Sequence, residues 1–282
     1  MKINLHTHTS ISDGKLDPKQ LADEFNKNKL EIVSLTDHDM LSGIYTLQNE
    51  LDSNITLING IELTVSAKDL ELDELKDYDA IHMLAYNFDI EKLESILMEK
   101  GKSHFELIKD VYKRLKDAGY EIEIDTSAKL LRYSLLTRGL FKENYFEKKE
   151  EALKIIEKYG FNDYQFYLTS IIDAIDIVHS CNGIILLAHP FNVVLNSRKT
   201  EIEEVLVNKI IQKLILLGLD GIEAYYFKYN SEKINFLENL ANEAKILKSA
   251  GTDFYEYNRT KSNLYYDINE NQVKDILKVF KK

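Results

Sequence analysis

Ile184-Ile185-Leu186-Leu187-Ala188 is an unbroken apolar run that stops at His189 and Pro190. It has the length of a strand and lacks the polar alternation of a half-exposed one, so it reads as a strand buried on both faces. Such a strand belongs to a sheet covered by helices, and its flanks supply them. Residues 170–180 show a helical pattern that stops at Asn182-Gly183, and 201–217 read as the next helix. Further on come a strand at 221–225, a helix at 231–245, a strand at 246–250 and a helix at 270–280. The same alternation runs back to the N-terminus. Ile3-Asn4-Leu5 is a strand. Residues 18–28 form a helix with Leu21, Ala22 and Phe25 on one face and Asp17-Pro18 as its cap and first position. Strands follow at 32–35, 55–63 and 80–86, with a helix at 42–51. This repetition predicts βαβ units and a parallel sheet, about seven units in all, which is the pattern of an α/β barrel. One long helical stretch, 90–119 with Gly119 as its C-cap, interrupts it. The division expected is barrel at 1–101, a charged, mostly helical insertion at 102–167, and barrel again at 168–282.

Of the 282 residues 44% are hydrophobic, enough for a full core. The formal charge of −11 excludes a general nucleic-acid binder, and stable DNA binding is not expected, because phosphate backbones need a basic surface. An anionic substrate is still allowed, since bound metal ions reverse the local field of an acidic protein. Cys181 stands alone, so no intrachain disulfide forms. No apolar run is long enough to span a membrane. Met1-Lys2-Ile3-Asn4-Leu5-His6 is too short and polar for a signal peptide. The expectation is a globular cytoplasmic protein without membrane contact, its oligomeric state open.

Five of the 7 histidines fall in or just after predicted strands: His6, His8, His38, His82 and His189. Asp37, Asp39, Glu62 and Asp253 take the same kind of position. In an α/β barrel the chemistry sits at the C-terminal ends of the strands. Histidines and carboxylates converging there are the donor set of a divalent metal site. In His6-x-His8 the period of a strand puts both imidazoles on one face. Glu62 at a strand end can bridge two cations. His104 and His179 lie on helices and read as surface or packing residues.

These residues stand in an ordered series: His6-Thr7-His8-Thr9, Ser12-Asp13-Gly14, Thr36-Asp37-His38-Asp39, Gly60-Ile61-Glu62, Ile81-His82, Ala188-His189-Pro190, Gly221-Ile222-Glu223 and Thr252-Asp253-Phe254. The series resembles the PHP (polymerase and histidinol phosphatase) family of metal-dependent phosphoesterases over nearly the whole chain. The resemblance implies a distorted (β/α)7 TIM-like barrel with two to three divalent ions, Mn, Zn or Fe, at its rim. It implies one ion on His6, His8, Glu62 and Asp253, and a second on Glu62, His82 and His189. A third would use Asp13, His38 and a histidine two residues after Asp253, where this chain has Tyr255. The insertion resembles the branch of nucleoside 3′,5′-bisphosphate phosphatases and 5′-to-3′ exoribonucleases. Leu131-Arg132-Tyr133-Ser134 stands where that branch has Gly-Arg-Pro-His, which makes Arg132 a phosphate contact and the insertion the substrate-contacting part.

The mechanism implied is attack on phosphorus by a hydroxide bridging two ions. Glu62 bridges, His38 assists the leaving group, and Asp37 orients a histidine. Arg132, Lys228 and Arg259 are the candidates for the substrate phosphate. The substrate expected is a small nucleotide or a 5′-phosphorylated RNA end. Two other readings stay open: a sugar-phosphate or histidinol-phosphate phosphatase, and a non-catalytic binding module on the same barrel.

Overall fold

The computed structural model describes residues 1–78, 80–123, 136, 139–140, 145, 149–160, 169–195, 198–256 and 263–281. The chain folds as two units, Met1–Leu93 with Thr169–Lys282, and Glu94–Leu168.

The first unit is built on a nine-stranded sheet. Its strands are β1 (Lys2–Asn4), β2 (Ile32–Leu35), β3 (Thr56–Ser66), β4 (Ile81–Tyr86), β5 (Thr169–Ser170), β6 (Ile184–Leu187), β9 (Gly221–Tyr226), β10 (Leu247–Gly251) and β11 (Tyr266–Asp267). The strands β7 (Asn192–Leu195) and β8 (Arg198–Glu201) form a separate antiparallel hairpin. The sheet runs β10-β9-β6-β4-β3-β2-β1-β11. Just past β1, Leu5 N donates to Ala250 O of β10 at 3.0 Å, so the sheet nearly closes into a barrel. The fold is the α/β barrel that the strand pattern predicts, with the distortion that the resemblance implies.

The sheet is not wholly parallel. β4 runs antiparallel to both β3 and β6. A parallel return needs a crossover, normally a helix. Among the described residues, the link from β3 to β4 carries the 3₁₀ turns Ala67–Leu70 and Asp73–Leu75 and no α-helix, and the chain comes straight back. This inversion matters for the site. His82, second in β4, lies opposite Thr64 near the end of β3, and its carbonyl accepts from Ala188 N at 3.0 Å. An N-terminal residue of β4 therefore shares a rim with the C-terminal ends of its neighbours.

Helices cover the sheet as the spacing demands. α1 (Pro18–Asn28) starts in a capping box in which Asp17 accepts from Gln20 N and Gln20 bonds back to Asp17 N. It buries Leu21, Ala22 and Phe25 against Val33, Leu35 and Phe254. Leu21 and Phe25 each contribute roughly 1.5–3 kcal/mol by leaving water, and Ala22 less. α2 (Gly43–Glu50) follows β2. The stretch 90–119 is two helices, α3 (Ile90–Lys100) and α4 (Lys102–Asp117), broken at Gly101. Glycine gives the helix its weakest interior position after proline, so the break falls there. The second unit has its own core, in which Ile108, Val111 and Leu115 of α4 pack with Ile122, Leu136, Leu140, Ala152 and Ile156. The helix expected at 201–217 begins only at Glu204, because 198–201 pair with 192–195. Among the described residues no helix is long and apolar enough to cross a membrane.

Candidate metal centre

The segment after β1 shows how the site is set. Thr7 is drawn sideways to the end of β2: its hydroxyl donates to Ser34 O at 2.7 Å and its N–H to Thr36 Oγ1 at 3.1 Å. With Thr7 turned to the neighbour, His6 and His8 both face inward, and both are fully buried. His38 enters from the loop after β2, Glu62 from β3, His82 from β4, His189 from just past β6 and Asp253 from just past β10. Glu62 is a mid-strand residue, because β3 runs on to Ser66 rather than ending near it. His189 and Asp253 hold left-handed φ values of 28° and 51°, strain of the kind that marks functional sites.

All five histidines meet the carboxylate of Glu62. His6 Nε2, His82 Nδ1 and His189 Nε2 lie 3.3, 3.0 and 3.2 Å from Oε1. His8 Nε2 and His38 Nδ1 lie 3.2 and 3.1 Å from Oε2. Asp253 Oδ1 is 3.4 Å from His6 Nε2 and 3.3 Å from His8 Nε2. Despite these separations, His6 Nε2, His8 Nε2, His82 Nδ1, Glu62 Oε2 and Asp253 Oδ1 are buried without a well-angled hydrogen bond. Buried polar atoms left this way are costly unless something else satisfies them. Around a tetrahedral ion with bonds of about 2.0–2.2 Å, neighbouring ligands stand roughly 3.3–3.6 Å apart. One ligand atom each from His6, His8, Glu62 and Asp253 lies within 4.8 Å of the others, and the histidine–carboxylate separations of 3.2–3.4 Å are close to that spacing, so the set fits a divalent cation. Two further groupings share members with it: His38, Glu62 and His82, and His8, Asp13 and His38. His38 thus belongs beside Glu62 and His82 as well as beside Asp13.

The surroundings tune these donors. Burial opposes charge on His6, but Glu223, Glu62 and Asp253 outweigh it and raise its pKa to about 10. His8 is likewise opposed by burial and raised to about 9 by Asp253 and Glu62. His189 goes the other way, to about 4, through burial and then the charge of Lys199. Burial disfavours charge on Glu62 too, yet His38, His6, His82 and Lys199 hold it well below the carboxylate range.

Several partners come from positions that sequence reasoning left without a role. Glu223 Oε1 meets His6 Nδ1 at 3.0 Å, and its Oε2 accepts from His189 N at 2.8 Å. With Nδ1–H committed to Glu223, His6 presents Nε2 to the cluster. Gly251 makes this approach feasible: a Cβ there would stand 2.5 Å from Glu223 Oε1 and 2.5 Å from His6 Cβ. Asp253 Oδ2 accepts from Tyr226 OH at 2.9 Å and from Lys199 Nζ at 2.5 Å. Lys199 sits on β8 of the β7–β8 hairpin, a strand that no apolar pattern announces.

The remaining candidates are placed as follows. The carboxylate of Asp37 accepts from Thr9 N at 2.7 Å, Thr9 Oγ1 at 2.5 Å and Ser12 Oγ at 2.6 Å. Its hydrogen bonds hold the loop that follows His8, rather than orienting an imidazole. Asp13 is half-exposed, its Oδ1 3.8 Å from His8 Nδ1. Tyr255 stacks on His8, ring centres 4.5 Å apart and planes 9° from parallel. Burial, then Asp13 and Asp253, pushes its phenol well above the usual range, so it stays protonated. Lys228 is exposed, its Nζ 5.6 Å from the Tyr226 ring centre. Arg132 and Arg259 lie outside the described residues. His179 pairs with Asp220 at 2.8 Å, away from the cluster, and His104 lies on α4.

A barrel with a histidine–carboxylate centre at its rim defines a metal-dependent hydrolase. The chain belongs to the PHP domain family, whose model matches residues 4–170. It is 23% identical over 264 residues to the 5'-3' exoribonuclease Rnm of Escherichia coli, covering 90% of this chain and 85% of that one. It is 21% identical over 265 residues to the 3',5'-nucleoside bisphosphate phosphatase of Chromobacterium violaceum, covering 90% and 87%. Among solved structures, a Bifidobacterium adolescentis chain named for metal-dependent phosphoesterase activity superposes with a TM-score of 0.70 at 20% identity, over 98% of this chain and 96% of that one. The protein is a metal-dependent phosphoesterase.

Proposed function

We propose that this enzyme hydrolyses a phosphate ester of a small nucleotide, such as a nucleoside 3′,5′-bisphosphate, or of a 5′-phosphorylated RNA end, in the cytoplasm. The observation that carries the reading is the meeting of five histidines on the two oxygens of Glu62. The nucleotide class is favoured by the two relatives above, each matched along most of its length. The charge of −11 favours a small substrate over long RNA.

In this reading two to three divalent ions, Mn, Zn or Fe, are held. His6, His8, Glu62 and Asp253 hold one, and Glu62, His82 and His189 another, with Asp13 and His38 offering a third position. When bound, such ions lower the pKa of water and withdraw charge from phosphoryl oxygens. The chain's own residues do the rest. Glu223 fixes the tautomer of His6, and Asp37 fixes the loop carrying Asp13. His38 has the most exposed side chain of the five histidines, at 12%, and where it does not ligate an ion it delivers a proton to the leaving oxygen. Lys228, Arg132 and Arg259 are the contacts assigned to the substrate phosphate.

The test is hydrolysis of four substrates by the Mn²⁺-supplemented protein, read as inorganic phosphate from adenosine 3′,5′-bisphosphate, histidinol phosphate and a sugar phosphate, and as nucleoside 5′-monophosphate from a 5′-phosphorylated oligoribonucleotide. The expected preference is for the first two, by at least tenfold in kcat/KM. Preference for either of the others would overturn the nucleotide assignment. Turnover of none would favour a binding module.

A further inference from the structure

The hairpin β7–β8 leaves the barrel directly after His189 and returns an ammonium to the cluster. Lys199 Nζ reaches Asp253 Oδ2 at 2.5 Å and lies 3.4 Å from Tyr255 OH. Orienting Asp253 does not require it, because Tyr226 OH already donates to the same oxygen at 2.9 Å from a buried position. Its own position is different. The Lys199 side chain is 24% exposed where Asp253 is 1% and Glu62 is 0%. It stands on the open side of a closed cluster.

Charge argues the same way. With only the two ions of the His6–His8–Glu62–Asp253 and Glu62–His82–His189 sets, the four carboxylates of Asp13, Glu62, Glu223 and Asp253 are balanced and no positive charge is left over. A phosphate monoester brings a charge of about −1.5 to −2 and needs further cations within reach. An ammonium offers three donors: one goes to Asp253 and one, at 3.4 Å, to Tyr255 OH, which leaves the third for a phosphoryl oxygen.

We propose that Lys199 contacts the phosphoryl group of the substrate, with Asp253 as the anchor that holds its ammonium in place. The assignment rests on the phosphoesterase reading of the same site. It makes the hairpin part of the reacting centre and adds Lys199 to Arg132, Lys228 and Arg259 as cations assigned to the phosphate.

The experiment compares wild type, Lys199→Met and Lys199→Arg. Metal content is read by elemental analysis, inorganic phosphate affinity by calorimetry with Mn²⁺ present, and kcat/KM on adenosine 3′,5′-bisphosphate. For Lys199→Met the expected result is unchanged metal content, because Tyr226 still holds Asp253. Phosphate affinity and kcat/KM both fall, by roughly 10- to 100-fold, the range of one charge-assisted hydrogen bond. Lys199→Arg recovers most of the loss. Phosphate affinity equal to wild type in Lys199→Met would overturn the proposal. So would a loss of metal that accounts for the loss of phosphate binding, since Lys199 would then serve only Asp253. Phosphate binding is read without turnover. A wild type that binds phosphate through Lys199 yet hydrolyses no ester therefore contradicts the hydrolytic reading while supporting this one.

Discussion

Glu62 has no protein substitute. Its two oxygens face imidazoles on both sides, and a neutral amide of the same shape offers one acceptor where two are used. Glu62→Gln, like His6→Ala, is expected to lose bound metal and more than roughly 100-fold of activity while keeping its circular dichroism. Glu223 supports two members of the cluster, the ring of His6 and the backbone N–H of His189, so Glu223→Gln should weaken metal affinity by roughly 10- to 100-fold without abolishing turnover at saturating Mn²⁺. The pH behaviour follows from the raised histidines. In metal-free protein His6 and His8 titrate near 10 and 9, above the 6.5 of an unfolded histidine. Their contribution to stability is therefore full below about pH 6.5 and is lost as pH rises through 9 to 10. Metal-free protein should unfold at lower denaturant at pH 9.5 than at pH 6.5. Binding an ion near pH 7 should release protons, visible as a buffer-dependent calorimetric enthalpy. At this scale the sequence was informative about ligands and silent about what holds them. A histidine at a strand end carries its chemistry in its identity. Glu223, Lys199 and Gly251 matter only through neighbours distant in the chain.

Among elements, β4 shows what an apolar run can and cannot say. Its buried residues marked it as a strand, but direction depends on the chain path between β3 and β4, which no periodicity records. The inversion explains why His82, at the start of its strand, reaches the same rim as residues at the ends of others. The hairpin β7–β8 was illegible for a different reason: Arg198-Lys199-Thr200-Glu201 is polar throughout and reads as the approach to a helix. The cap of α1 was legible, because Asp17-Pro18 and Gln20 are a local signal. Asp17→Ala should cost about 1 kcal/mol in denaturant unfolding and leave metal content unchanged. Gly251→Ala is its counterpart at the site. A methyl group wedged between Glu223 and His6 should reduce metal content, a loss that elemental analysis would show.

At the level of the whole molecule, the ligands and their supports all belong to the unit Met1–Leu93 with Thr169–Lys282. The unit Glu94–Leu168 has a core of its own, so Leu115→Ala should destabilise that unit by roughly 2–5 kcal/mol while metal content stays at the wild-type level. The central claim is that the buried donors around Glu62 exist to hold divalent ions for phosphoester hydrolysis. Elemental analysis of wild type and Glu62→Gln, paired with phosphate release from adenosine 3′,5′-bisphosphate in Mn²⁺, tests it most directly. The account predicts two or three ions per chain with turnover in wild type, and the loss of both in the variant. A Glu62→Gln protein that kept its metal and full turnover would contradict it.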